Sequence, residues 1–175
     1  MKIKITLLVT TLAFLFSTTI AQTPLKEYKA GGVFYISVPD YMSKTVGLNS
    51  SASVQFKNTV KDVYTFVIVD NKEELTLAEL NYTSVAEFFE DFVKDFLEGE
   101  KKREVSKPVY QKKNDLNIAE CEASYYDTEL KGEIYYYVGV VETKTAYYKV
   151  LSWVLAENKE KYKADFQSIL YSVKD

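Results

Sequence analysis

The sequence predicts an α+β domain, a curved and mostly antiparallel sheet of about six or seven strands with two main helices packed on it. Three observations lead there. Long β-branched and aromatic stretches follow one another through tight connections at Asp127-Thr128-Glu129 and Thr143-Lys144, the way antiparallel neighbours are joined. Two other segments repeat their apolar residues at helical spacing, one in mid-chain and one at the end. The order (three strands, helix, four strands, helix) lacks the strict alternation that builds a parallel sheet.

Taken in order, the chain opens with Lys2 and Lys4, an apolar run from Ile5 to Phe16, and Thr19-Ile20-Ala21. This is the layout of a secretory signal peptide over residues 1–21, with an apolar run too short to span a bilayer. Cleavage after Ala21 leaves Gln22 first, and no Cys lies near the cut to carry a lipid. The expectation is a soluble exported protein, periplasmic or extracellular, with a single domain over residues 22–175. A polar lead, Gln22 to Gly32, precedes a strand from Val33 to Val38 that Pro39 stops. Asp40 to Ser51 reads as a loop. Ala52 to Asn58 and Val63 to Asp70 read as a hairpin, and the second of these is apolar at nearly every position, as expected for a strand covered on both faces.

Ser84 to Leu97 is the clearest helix. Ser84 and Glu87 make a capping box, Val85, Phe88, Phe89, Phe92, Val93, Phe96 and Leu97 form a stripe, and Gly99 is the natural stop. Four Phe on one stripe suit a core face better than a cofactor pocket. A weaker strand near Val105 to Lys112 leads into Leu116 to Tyr126, Lys131 to Glu142 and Thr145 to Leu155. The closing helix runs from Lys159 to Val173 on the stripe Tyr162, Phe166, Ile169, Leu170 and Val173.

Composition removes whole classes of function. The chain has no His and one Cys, so a Ser-His-Asp or Cys-His arrangement is impossible and the commonest zinc ligand is missing. Cys121 has no partner for an internal disulfide; it lies in phase with Ala119 and Ala123 and is expected to be buried and inert. Without Lys2 and Lys4, 20 basic residues face 25 acidic ones, a net of −5, which argues against a nucleic-acid partner. Lys101-Lys102-Arg103 is flanked by glutamates and reads as a solvated helix exit. No calcium loop and no glycine-rich phosphate loop is present among 6 Gly. Asn81-Tyr82-Thr83 fits the N-glycosylation pattern, which acts only in a eukaryotic secretory pathway.

The pattern resembles the PsbP-like family, whose fold is shared by an extrinsic photosystem subunit, a Ran-binding nuclear import factor and many exported bacterial proteins. The matching pieces are Phe34-x-Ile36-x-Val38-Pro39, the mid-chain amphipathic helix, the long hairpins, and Trp153 followed by a helix ending Phe166-x-x-Ile169-Leu170-x-Ser172-Val173. The chain departs at Leu116-Asn117-Ile118, where relatives often carry Gly after Asn. The resemblance implies a non-enzymatic domain that binds a partner, with no catalytic set to carry over.

Two-residue turns at Thr128-Glu129 and Thr143-Lys144 give a register for the last three strands. One face then collects Ala119, Cys121, Ala123, Ile134, Tyr136, Leu151, Trp153 and Leu155, a core face on which a helix can pack closely. The other sets Glu120 beside Tyr137 and Val150, and Glu122 beside Tyr135 and Ser152, with Tyr148 nearby. Three readings fit Glu120, Glu122, Tyr135, Tyr137 and Tyr148: a half-solvated face of ordinary packing, a binding surface for a protein or small ligand, or a carboxylate pair spaced as an inverting glycosidase requires. The expectation adopted is an exported binding or accessory domain, a monomer without cofactor or metal, using that face. The rivals are a small-molecule or lipid carrier with its pocket between sheet and helix, and a carboxylate-based hydrolase.

Overall fold

A computed structural model describes residues 23–175. The segment read as a signal peptide lies outside the described residues. An N-terminal ribbon pairs β1 (Leu25–Ala30) with β2 (Phe34–Pro39) through Gly31 and Gly32, whose φ values of 57° and 75° suit glycine. Then come β3 (Ser43–Thr45), β4 (Val54–Asn58), β5 (Val63–Asn71), α1 (Lys72–Leu77) and α2 (Val85–Asp95). The second half contains β6 (Glu104–Val105), β7 (Val109–Lys113), β8 (Leu116–Asp127), β9 (Gly132–Glu142) and β10 (Ala146–Leu155). A short 3-10 turn (Ala156–Asn158) leads into α3 (Lys159–Tyr171). The main sheet runs β3-β4-β5-β10-β9-β8, with β6 and β7 in line along the outer edge of β8, and every neighbouring pair is antiparallel.

The α+β class, the antiparallel sheet and the two main helices are as the sequence predicts. There are more strands than predicted, eight in the sheet and two in the ribbon. The predicted Val105–Lys112 strand is split at Lys107-Pro108, because a proline has no N–H to give the ladder. The polar lead pairs as β1 with most of its side chains exposed, Ala30 and Tyr28 being the ones that reach the core. α1 has no buried residue and no apolar stripe to announce it; Asn71 nucleates it by accepting from Glu73 N at 2.9 Å.

The helices lie on opposite faces of the sheet. On one, Phe88, Phe89 and Val93 of α2 pack over Ala119, Cys121, Val138, Val140 and Leu151. On the other, Tyr162, Phe166, Ile169 and Leu170 of α3 pack over Tyr135, Tyr137, Tyr148 and Val150, closed laterally by Phe34, Ile36 and Val38. Each of those α3 side chains contributes about 1.5–3 kcal/mol by burial, so α3 is a fixed layer of the domain.

Local devices hold α2 in place. Ser84 Oγ accepts from Glu87 N at 3.2 Å, and the Glu87 carboxylate accepts from the amide and hydroxyl of Thr83 at 2.8 Å. The helix ends before Gly99: Arg103 donates to the carbonyls of Phe96, Val93 and Lys94 at 2.7, 3.0 and 3.1 Å, filling acceptors the helix end leaves open. The residue read as part of a solvated exit is therefore a C-terminal cap.

Candidate functional site

The observed register differs from the predicted one by two residues at each hairpin. Glu120 stands opposite Gly139 and across from Val150, and Glu122 stands opposite Tyr137 and across from Ser152. The cause is turn length. Asp127 pairs with Gly132, and the four residues between them are organised by Asp127 Oδ1, which accepts from the amides of Glu129 and Leu130 at 2.8 Å. Glu142 likewise pairs with Tyr147 around four residues in which Thr143 Oγ1 accepts from the amides of Thr145 and Ala146. A slip of two preserves the faces, so the face assignment holds.

The expectation that this face is an open surface needs correction. Glu120, Tyr135, Tyr137 and Tyr148 are 7%, 3%, 4% and 0% exposed, because α3 covers them. Each helix takes one face, so both faces of the central strands are covered. The three tyrosines are core residues. Phe166, Ile169 and Leu170 fill the space between the sheet and α3, with Leu170 against Gly139, so this side of the sheet has no room for a carried ligand.

Beneath α3 the polar groups form a network through one oxygen of Glu120, whose buried Oε2 is left without a partner. Glu120 Oε1 accepts from Gln111 Nε2 at 3.0 Å and from the Tyr171 hydroxyl at 2.9 Å. Gln167 Nε2 donates to the hydroxyls of Tyr171 and Tyr137 at 2.9 and 3.1 Å. Burial, then the adjacent Glu120, pushes the Tyr137 phenol far up. Burial followed by the charge of Asp175 raises Tyr148 to about 12, and its hydroxyl donates to Asp175 Oδ2 at 3.3 Å. These phenols are fixed donors and acceptors, not bases.

One margin of the face is open. Beyond the first turn of α3, above the β6–β8 edge, lies a cleft of about 390 Å³ lined by Glu104, Ser106, Glu122, Ser124, Tyr135 and Lys159. Pairing places Glu104 with Ser124, so their side chains share the side that Glu122 occupies. Ser106 is fixed by its backbone and hydroxyl bonds to the Glu122 backbone. Glu122 itself is held between two lysines of α3, with Lys159 Nζ on Oε2 at 2.6 Å and Lys163 Nζ on Oε1 at 2.5 Å. Burial alone would raise its pKa, but the bonds and charges of Lys159 and Lys163 outweigh it and leave the carboxyl below its ordinary value. Lys159 Nζ also lies 5.0 Å from the Tyr135 ring centre, and the buried Tyr135 hydroxyl has no hydrogen-bond partner. Burial, then the Glu122 charge, pushes that phenol far up.

Of the five residues chosen from sequence, Glu122 and Tyr135 thus meet at this cleft, while Glu120, Tyr137 and Tyr148 lie under the helix. Glu104, Ser106, Ser124, Lys159 and Lys163 were missed. The i,i+4 spacing of Lys159 and Lys163 marks one side of a helix and was the available signal, but only the register shows that Glu122 faces it. Glu122 is shifted away from the protonated form a general acid needs. Among the described residues no cluster of three or more metal-ligating side chains is present, and no helix is long and apolar enough to cross a membrane.

No family model matches the chain, and no curated protein matches it in sequence. Solved structures do. The fold is similar to that of cyanobacterial PsbP (CyanoP) from Synechocystis, with a TM-score of 0.62 and 16% identity over 89% of this chain and 95% of that one. It is similar to LpqN of Mycobacterium tuberculosis, described as involved in cell envelope biogenesis, with a TM-score of 0.57 and 10% identity over 86% and 90% of the two chains. A Bacteroides thetaiotaomicron protein matches with a TM-score of 0.58 and 7% identity over 85% of this chain but 47% of its own. The fold is PsbP-like.

Proposed function

We propose that the protein is an exported, non-enzymatic binding domain of the cell envelope that receives its ligand or partner at the cleft between α3 and the β6–β8 edge. The observation that carries this is Glu122, whose two oxygens are each taken by a lysine of α3 in the wall of an open cleft that also presents Val105 and Ala123. A carboxylate so held is a constant charge that orients a ligand; it has no proton to deliver near neutral pH. The remaining lining supplies hydroxyls from Ser106 and Ser124, the free carboxylate of Glu104 and the ammonium of Lys159, which suits a polar, uncharged or zwitterionic group. Likeness to LpqN, a protein described as involved in cell envelope biogenesis, supports this location.

Native mass spectrometry of the protein recovered from exporting cells tests the reading. A mass adduct on the wild type that is lost in Ser124→Phe, with the same thermal stability, is the expected result. An adduct unaffected by Ser124→Phe moves the site elsewhere. Turnover of an envelope polysaccharide that depends on Glu120 or Glu122 would make the protein an enzyme.

A further inference from the structure

A second surface, away from that cleft, crosses the hairpin end of the sheet. The β4–β5 turn, the β8–β9 turn and the end of β10 all come to this end. Two adjoining hollows of about 230 and 410 Å³ share Leu130 and Leu155 as a common wall, making one furrow. The first is apolar, floored by Trp153 and Ile134 and bounded by Tyr64 and Asp62. The second is bounded by Lys131, Glu133 and Glu157. Leu130, at the tip of its turn, is 66% exposed beside it, an apolar side chain with nothing over it.

The rings define what fits. Tyr64 stacks on Trp153 at 5.1 Å and 14°, and Trp153 stacks on Tyr136 at 5.6 Å and 24°. Standing in a row across β5, β10 and β9, the rings leave Trp153 stacked between Tyr64 and Tyr136. With Trp153 already stacked on both sides, the hollow offers an apolar slot between Leu130, Ile134, Trp153 and Leu155 that suits an aliphatic side chain. The charges define the flanks. Asp62 borders the first hollow and Glu133 and Glu157 border the second beside Lys131, and none of the three carboxylates takes part in an ion pair among the described residues.

We propose that this furrow docks an extended, basic polypeptide segment, seating an aliphatic side chain between Trp153, Leu130 and Leu155 and placing its Lys or Arg neighbours against Asp62, Glu133 and Glu157. Apolar insertion gives the anchor, and charge complementarity sets the partner and its orientation. This surface is independent of the α3-edge cleft.

Trp153 is the only tryptophan of the chain, so its emission reports on this furrow directly. The test titrates the protein with a ten-residue peptide alternating Arg and Leu, with the Glu-for-Arg peptide, and with tetraethylammonium. The expected result is a saturable change in Trp153 emission with the Arg/Leu peptide alone. Its affinity should fall at least tenfold in Leu130→Ser, at least tenfold in the Asp62→Asn/Glu157→Gln double variant, and steeply between low and high salt. Leu130, Asp62 and Glu157 are surface residues, and an unchanged melting temperature separates lost binding from lost folding. No saturable change up to 1 mM peptide overturns the proposal. So does equal binding of the Glu peptide, an equal response to tetraethylammonium, or affinity that survives both sets of substitutions.

Discussion

Leu170 of α3 occupies the space over Gly139 of β9 that any side chain at that position would fill. A Cβ at Gly139 would collide with the Leu170 isobutyl group, with Cγ itself only 2.9 Å away. The contact seats the last turn of α3 on the centre of the sheet and explains a glycine in the middle of a long strand, where it otherwise weakens packing.

Gly139→Ala should therefore destabilise the protein by about 1–3 kcal/mol through overpacking. Urea unfolding measures it. Gly139→Ala/Leu170→Ala should lose less than the sum of the two single variants, because the second change makes room for the first.

Tyr137 separates the core from the surface reading. Tyr137→Ala should cost about 3–5 kcal/mol, as for a buried aromatic, whereas Tyr137→Phe should cost about 1 kcal/mol, for the hydroxyl that accepts from Gln167. Chemical denaturation reports both. A stably folded Tyr137→Ala variant would contradict burial beneath α3.

Much of this was legible in the sequence. The capping box of α2, both helical stripes and the alternation that sorts β8, β9 and β10 into two faces come from period and cap chemistry alone. The Cys121 face and the Glu120 face were separated correctly because a slip of two leaves alternation intact. What the sequence could not show is which face each helix takes. The stripe Tyr162, Phe166, Ile169 and Leu170 says that α3 buries one side, not whether its floor is Cys121 or Tyr137. Tyrosine is equally at home in a core and on a surface, so its presence did not decide. Turn length was misjudged because Asp127 and Thr143 organise four-residue connections through side-chain bonds that a count of residues misses.

Cys121 should be unreactive while the protein is folded. It is 3% exposed, and burial with the charge of Glu122 pushes its thiol to about 12. Labelling by a thiol reagent at pH 8 should proceed only at the rate of global opening, and no reducible dimer should form on a gel.

The Glu122 bridges should appear in the acid limb of stability. The folded-state pKa lies below the ordinary 4.5, so the carboxyl stabilises the fold above that value and the contribution is lost as pH falls through the folded value. Glu122→Gln should flatten the fall in melting temperature between about pH 5 and pH 3. The amplitude should be about 1 kcal/mol or less, since both lysines are partly solvated, and should shrink in high salt. A larger acid dependence in Glu122→Gln than in the wild type would contradict the assignment.

The central claim is that α3 is a permanent cover over the Glu120, Tyr137 and Tyr148 face, leaving only the Glu122–Tyr135 margin for a ligand. Native-state amide hydrogen exchange tests it most directly. The account predicts that amides of Phe166 to Leu170 exchange only through global unfolding, with the same denaturant dependence as those of Val138 to Val141 in β9. Exchange of the α3 amides through a smaller opening, while β9 stays protected, would make α3 a lid and the tyrosine face beneath it a latent binding surface.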